Sequence, residues 1–213
     1  MSEKLTPVTN PNDTIQLSKK LSYVLRHGAV KENISILPSG FVAIKDLLSH
    51  PKFRKVSFEN IRHVVDNNDK NRYELMHNED EDEWYIRACQ GHSIAHIDTK
   101  QLLDEITEPI NMPVVHGTSL KAWKEGIKDK GLSTMGRNHI HFATGLPDDP
   151  ITIPGIRKSS EVLIFIDVEK ARKGGVVFYK SKNNVILSDG VDGVISPEYF
   201  LKVVDRYSHP IKE

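Results

Sequence analysis

The texture of the chain changes near residue 113, and that change constrains the fold more than any other feature. Before it, apolar residues recur at helical spacing. Leu17, Leu21, Val24 and Leu25 form one such set, with Asp13 or Thr14 as cap and Gly28 as C-terminal stop. Arg26 and His27 then fall on the last turn, where the helix dipole favours cations. Leu37-Pro38-Ser39-Gly40 reads as a turn, and a second helix is predicted from Ile44 to Ser49. A third, capped by Ser57, has Ile61, Val64 and Val65 on its buried face and ends at Asn67-Asn68-Asp69. Two strand candidates follow, Tyr73–Met76 and Trp84–Arg87, joined by the acidic loop Glu79–Glu83. Three short helices and a hairpin outline a winged-helix lobe. After residue 113, short β-rich runs recur at Val114-Val115, Ile140-His141-Phe142, Val162–Ile166, Val176–Tyr179 and Val185–Leu187. One helix candidate, Leu120–Lys130, stops at Gly131. This predicts an α+β lobe on a mainly antiparallel sheet. The expected organisation is a flexible tail at 1–12, the first lobe at 13–96, a linker at 97–112 and the second lobe at 113–213.

Composition narrows the function classes. The formal net charge is zero, which argues weakly against a nucleic-acid binder, but the charge is unevenly spread. Residues 1–76 hold 12 Lys/Arg against 8 Asp/Glu, residues 77–108 hold 2 against 9, and residues 109–213 hold 15 against 12. The first and last segments suit a site that faces phosphate, and the acidic run is expected to point away from one. With one cysteine, Cys89, neither an intramolecular disulfide nor a cysteine-based zinc cluster can form. No apolar stretch approaches the ~20 residues of a membrane span, and the start lacks the apolar core of a secretory signal. An intracellular protein of nucleus, cytoplasm or both is expected, and nothing suggests an obligate assembly, so a monomer is expected. The absence of GxGxxG after a strand and of GxxxxGK[ST] removes Rossmann and P-loop nucleotide sites.

Four groups of residues can carry chemistry. Arg26-His27 pairs a planar fork of donors with a side chain that titrates near neutrality, a combination that can hold a phosphate and move a proton beside it. Arg72 opens the first hairpin strand. His116-Gly117-Thr118, followed by Ser119, offers close backbone approach at the glycine and two ribose-binding side chains. Met135-Gly136-Arg137-Asn138-His139-Ile140-His141 is the densest polar cluster; strand alternation places His139 and His141 on one face. That pair lacks a third zinc ligand, so no metal is expected. Each group alone also admits a plain structural reading: a solvated helix end, an exposed arginine, a capped turn, a satisfied histidine pair.

Taken together, the segments resemble the tRNA 2′-phosphotransferase family. The resemblance runs from about Leu17 to Val204 and rests on strings in a fixed order: Leu17-Ser18-Lys19-Lys20-Leu21-Ser22-Tyr23-Val24-Leu25-Arg26-His27, Asn68-Asp69-Lys70-Asn71-Arg72-Tyr73, Gln90-Gly91-His92-Ser93, His116-Gly117-Thr118, Met135 to Phe142, and Phe178 to Val185. It implies a winged-helix RNA lobe joined to an ADP-ribosyltransferase-like NAD lobe. It implies a catalytic, RNA phosphate-binding set of Arg26, His27, Arg72 and Arg137. It also implies an NAD site built from His116, Gly117, Thr118, Ser119, Asn138, His139 and His141. The implied reaction is NAD-dependent removal of the splice-junction 2′-phosphate from ligated tRNA, with NAD as co-substrate and no metal. The chain departs from bacterial members at Ser181–Leu187, which carries no carboxylate, and in the looser stretch from Gly145 to Glu161, where adenine-side contacts would lie. The alternatives are an enzyme that caps nucleic-acid phosphate ends with ADP-ribose, and a non-catalytic winged-helix RNA-binding module.

Overall fold

The computed structural model describes residues 11–144, 156–157 and 159–211. Residues 1–10 of the tail assigned to 1–12 and most of the Gly145–Glu161 stretch lie outside these residues, whereas residues 11 and 12 already belong to a helix. The chain divides into two compact units, Met1–Leu102 and Leu103–Glu213, and the fold is α+β.

The first unit begins with α1 (Pro11–Tyr23), two residues before the expected cap; proline is well placed in a first helical turn because its missing N–H has no partner there. Leu17 and Leu21 are buried by their helical spacing. The expected α-helical stop at Gly28 is different in kind. From Val24 to Gly28 the backbone widens to a π turn, with the Ala29 N–H donating to the Val24 carbonyl at 2.9 Å. Gly28 is there for space: a Cβ at that position would lie 2.5 Å from the Tyr23 ring. Next come β1 (Val42–Ala43), α2 (Ile44–Ser49) and α3 (Phe58–Asp66). Ser57 caps α3 through a reciprocal box with Asn60, which leaves Ile61 and Val64 facing the core. The hairpin strands β2 (Tyr73–Asn78) and β3 (Glu83–Ala88) each run past the predicted ends. They pair in register from Tyr73↔Ala88 to Asn78↔Glu83, and the antiparallel sheet order is β1-β3-β2.

The acidic loop is more than solvated surface. Glu81 accepts from the Tyr85 hydroxyl, Asp82 pairs with His77, and Glu83 sits in β3 facing Lys45 at 3.1 Å. The expected linker 97–112 holds structure as well: α4 (Thr99–Leu102) closes the first unit, and β4 (Asp104–Glu105) opens the second.

In the second unit, β5 (Val114–Thr118) leads to α5 (Leu120–Ala122), a π turn at Trp123–Ile127 and α6 (Lys128–Lys130). Then follow β6 (Leu132–Ser133), β7 (Ile140–Thr144), β8 (Val162–Ile166), α7 (Val168–Lys173), β9 (Tyr179–Lys180), β10 (Ile186–Ser188), β11 (Val194–Ile195) and β12 (Phe200–Asp205). The main sheet has the order β12-β8-β5-β7-β10-β9-β4 with antiparallel pairing throughout. β8 is buried at every residue, because both faces of its sheet carry apolar layers. Val114, Phe142, Ile164 and Phe178 pack on one face, and Val115, Leu163, Phe165 and Val204 on the other. The helix α7 and the strands β1, β4, β6, β11 and β12 were not anticipated from sequence. Among the described residues, no helix is long and apolar enough to cross a membrane.

Candidate active site

Three of the four residues expected to act on phosphate lie in the first unit, gathered around the segment 89–93. Arg26 and His27 occupy the π turn, a local widening that recurs at functional positions. The Ser93 N–H donates to the Arg26 carbonyl at 2.9 Å, and the Ser93 hydroxyl is 2.8 Å from His27 Nδ1. Gly91 lies against the Arg26 side chain with φ +89°, a backbone conformation that favours glycine. Arg72 meets the same segment through its carbonyl, which accepts from the Cys89 N–H at 2.9 Å.

The Arg72 guanidinium is oriented by Asn68. The Asn68 side-chain oxygen accepts from both the Arg72 backbone N–H, at 3.2 Å, and Nη1, at 3.1 Å. Next to Arg72, the Tyr73 hydroxyl bonds the Ser18 carbonyl at 2.6 Å and the Ser22 hydroxyl at 2.6 Å, tying the hairpin to α1. Arg72 also borders a cavity of about 480 Å³ that Lys19 and Lys70 line with it. Sequence reasoning did not assign Asn68 or Ser93 a role. The signs of them were their place in the strings that carry the resemblance and, for Asn68, its place at the end of the third helix.

The fourth residue of the set, Arg137, belongs to the second unit. There β5 and β7 pair for only two residues, Val114↔Thr144 and Val115↔Ala143, and then part. Past that point the His116 ring, and not its backbone, reaches the His141 carbonyl, at 2.9 Å from Nδ1. The gap between the strands is a cavity of about 320 Å³, lined by His116, Gly117, Thr118, Ser119, Arg137 and His141. His116-Gly117-Thr118 is therefore the end of a strand and not the turn it could have been. A carbonyl only accepts, so Nδ1 carries the proton and the neutral ring offers Nε2 as an acceptor. Gly117 is enforced sterically: a Cβ there would lie 2.7 Å from Ser160 Oγ and 2.8 Å from Ile156.

Arg157, Ser159 and Ser160 also line this cavity and were not among the expected residues. Asn138 and His139, which were, do not line it. His139 precedes β7, is buried, and sits 6.0 Å from the Tyr179 ring in an edge arrangement. The two histidines of the expected pair thus have different surroundings. Among the described residues, no group of three His, Cys, Asp or Glu side chains could hold a metal ion.

Burial pushes the pKa of His139 below the ordinary histidine value, partly offset by Asp189. Burial also lowers His116, against the bond to the His141 carbonyl, and the Arg157 charge adds to the lowering. Both rings are therefore held neutral in the fold while the unfolded chain protonates near pH ~6.5. The unfolded state then binds more protons in acid, so stability is intact above that value and falls as pH drops through it toward the folded pKa values. Urea midpoints measured from about pH 7.5 to about pH 5.5 are expected to decline, and a His139→Asn variant to decline less. Equal slopes for the two proteins would show that His139 is not held neutral.

A basic, hydroxyl-rich cavity lined by His116 and His141, on a chain that also carries an arginine–histidine turn, suits anionic substrates. The chain matches the family model described as RNA 2′-phosphotransferase, Tpt1 / KptA family, over residues 12–190. It belongs to this family. It is 40% identical over 188 residues to "tRNA 2′-phosphotransferase 1" of Danio rerio, covering 87% of this chain and 83% of that protein. Human "tRNA 2′-phosphotransferase 1" is 43% identical over 187 residues, covering 87% and 74%. "tRNA 2′-phosphotransferase" of Saccharomyces cerevisiae is 39% identical over 183 residues, covering 83% and 79%. The chain is thus a member of a family of transferases. The match contains every candidate residue from Arg26 to Ser160, so both the turn at Arg26-His27 and the cavity at Arg137 are parts of the phosphotransferase region.

Proposed function

We propose that this phosphotransferase moves the splice-junction 2′-phosphate of ligated tRNA onto NAD, the last step of tRNA splicing. The observation that carries this reading is the shared cavity of Arg137 with the His116–Ser119 strand end and His141. A site for NAD needs backbone that a flat amide can approach, an acceptor for a ribose hydroxyl and cations for its phosphates. Gly117, neutral His116 and the two arginines Arg137 and Arg157 supply these. In this reading the parted sheet is an ADP-ribosyltransferase-like lobe, and the three-helix unit with its hairpin is a winged-helix lobe that takes the RNA.

The reaction has two steps. An oxygen of the RNA 2′-phosphate attacks the anomeric carbon of the nicotinamide riboside, and nicotinamide leaves. The adjacent ribose 2″-hydroxyl then attacks phosphorus, giving up its proton to solvent, and expels the RNA 2′-oxygen, which takes a proton from His27. The products are nicotinamide, ADP-ribose 1″,2″-cyclic phosphate and 2′-hydroxyl RNA. The first step depends on alignment, which can supply roughly 7–11 kcal/mol of a barrier. The second builds charge on phosphate oxygens, for which Arg26, Arg72 and Arg137 are suited. His27 protonates the leaving oxygen.

Incubation of 2′-phosphorylated RNA with NAD tests the reading. One nicotinamide released for each 2′-phosphate lost is the expected result. No release would favour an RNA-binding module, and ADP-ribose retained on a terminal phosphate would favour a capping enzyme.

A further inference from the structure

The string Gln90-Gly91-His92-Ser93 has no role in the four-residue set, yet Ser93 contacts two of its members. Its N–H bonds the carbonyl of Arg26 and its hydroxyl bonds the ring of His27. Both contacts are made to residues of the π turn, whose widened backbone alters the hydrogen-bond pattern of an ordinary helix end. We propose that Ser93 is a positioning residue for His27, fixing which ring nitrogen acts on the RNA 2′-phosphate; this rests on the functional reading above.

An exposed histidine samples several rotamers and, when neutral, two tautomers. With its oxygen at Nδ1, Ser93 selects one ring orientation. In the imidazolium form the Nδ1 proton is donated to Ser93, and the proton transferred to the leaving 2′-oxygen is the one on Nε2. After transfer the neutral ring keeps its proton at Nδ1, still held by Ser93. One proton has moved from Nε2 to the leaving oxygen, and the proton of the attacking 2″-hydroxyl passes to solvent, so charge is conserved.

Ser93→Ala keeps the backbone bond to Arg26 and removes only the hydroxyl. Its kcat is expected to fall by about tenfold or more with KM for NAD unchanged, and Ser93→Thr to recover to within about threefold of wild type. In a His27→Ala background, Ser93→Ala should cost nothing further. Ring nitrogen NMR shifts of His27 should report a hydrogen-bonded Nδ1 in the wild type and the loss of that bond in Ser93→Ala. Wild-type turnover in Ser93→Ala, an additive loss on His27→Ala, failure of Thr to restore activity, or unchanged ring shifts would each overturn the proposal. Should wild-type protein release no nicotinamide, the functional reading fails while the ring shifts still decide the role of Ser93.

Discussion

Arg137→Ala is expected to reduce turnover by about 10³-fold or more while leaving the fold in place. Arg137 is exposed, so truncating it removes no core contact; surface changes of this kind usually shift stability by less than about 0.5 kcal/mol. Its position is set by its backbone. Met135 and Gly136 take φ of +52° and +76°, and the Arg137 N–H closes the turn on the Thr134 carbonyl at 3.1 Å. That turn presents the guanidinium at the cavity lined by His116 and His141. A planar cation there can hold phosphate oxygens in two directions as negative charge builds on them. Arg137→Lys keeps the charge and loses the fork, so it should recover part of the activity and not all of it. Nicotinamide release under steady state, with a thermal midpoint for each variant, checks the claim. Turnover at the wild-type level in Arg137→Ala would remove Arg137 from the site.

How much of this was readable in the sequence depends on whether the cause was local. The Ile44–Ser49 helix, the Ser57 cap and the Val162–Ile166 strand match the sequence reading because each follows from spacing, a cap or an unbroken apolar run. β12 follows from pairing with β8, and its residues alternate poorly: Leu201 and Lys202 are both exposed. β4 is two exposed acidic residues made into a strand by β9. At the site, sequence strings named the residues, but membership of the cavity follows from where β5 and β7 part. That is why His141 lines it and His139 does not, although alternation treats them alike. Arg157, Ser159 and Ser160 stand well apart in sequence from His116, and only the fold brings them to the same cavity. The polar contacts of Ser93 and Asn68 are likewise long-range or turn-specific, and no periodicity encodes them.

His27→Ala should separate the two steps. His27 is exposed at the end of the π turn, so its removal leaves the buried Val24, Leu25 and Gly28 in place. In the first step of the proposed reaction the phosphate oxygen is already a nucleophile and nicotinamide leaves without needing a proton, so a general acid adds little there. In the second, the RNA 2′-oxygen leaves as an alkoxide unless it is protonated, and loss of a positioned acid typically costs about 10²–10⁴ in rate. The variant is therefore expected to release one equivalent of nicotinamide in a burst and then stall with ADP-ribose joined to the RNA through the 2′-phosphate. Mass analysis of the RNA reads the added ADP-ribose directly, and single-turnover nicotinamide release reads the first step on its own. Absence of both burst and adduct would place His27 in the first step or in phosphate binding, because the arginines would then be insufficient to align the phosphate with NAD.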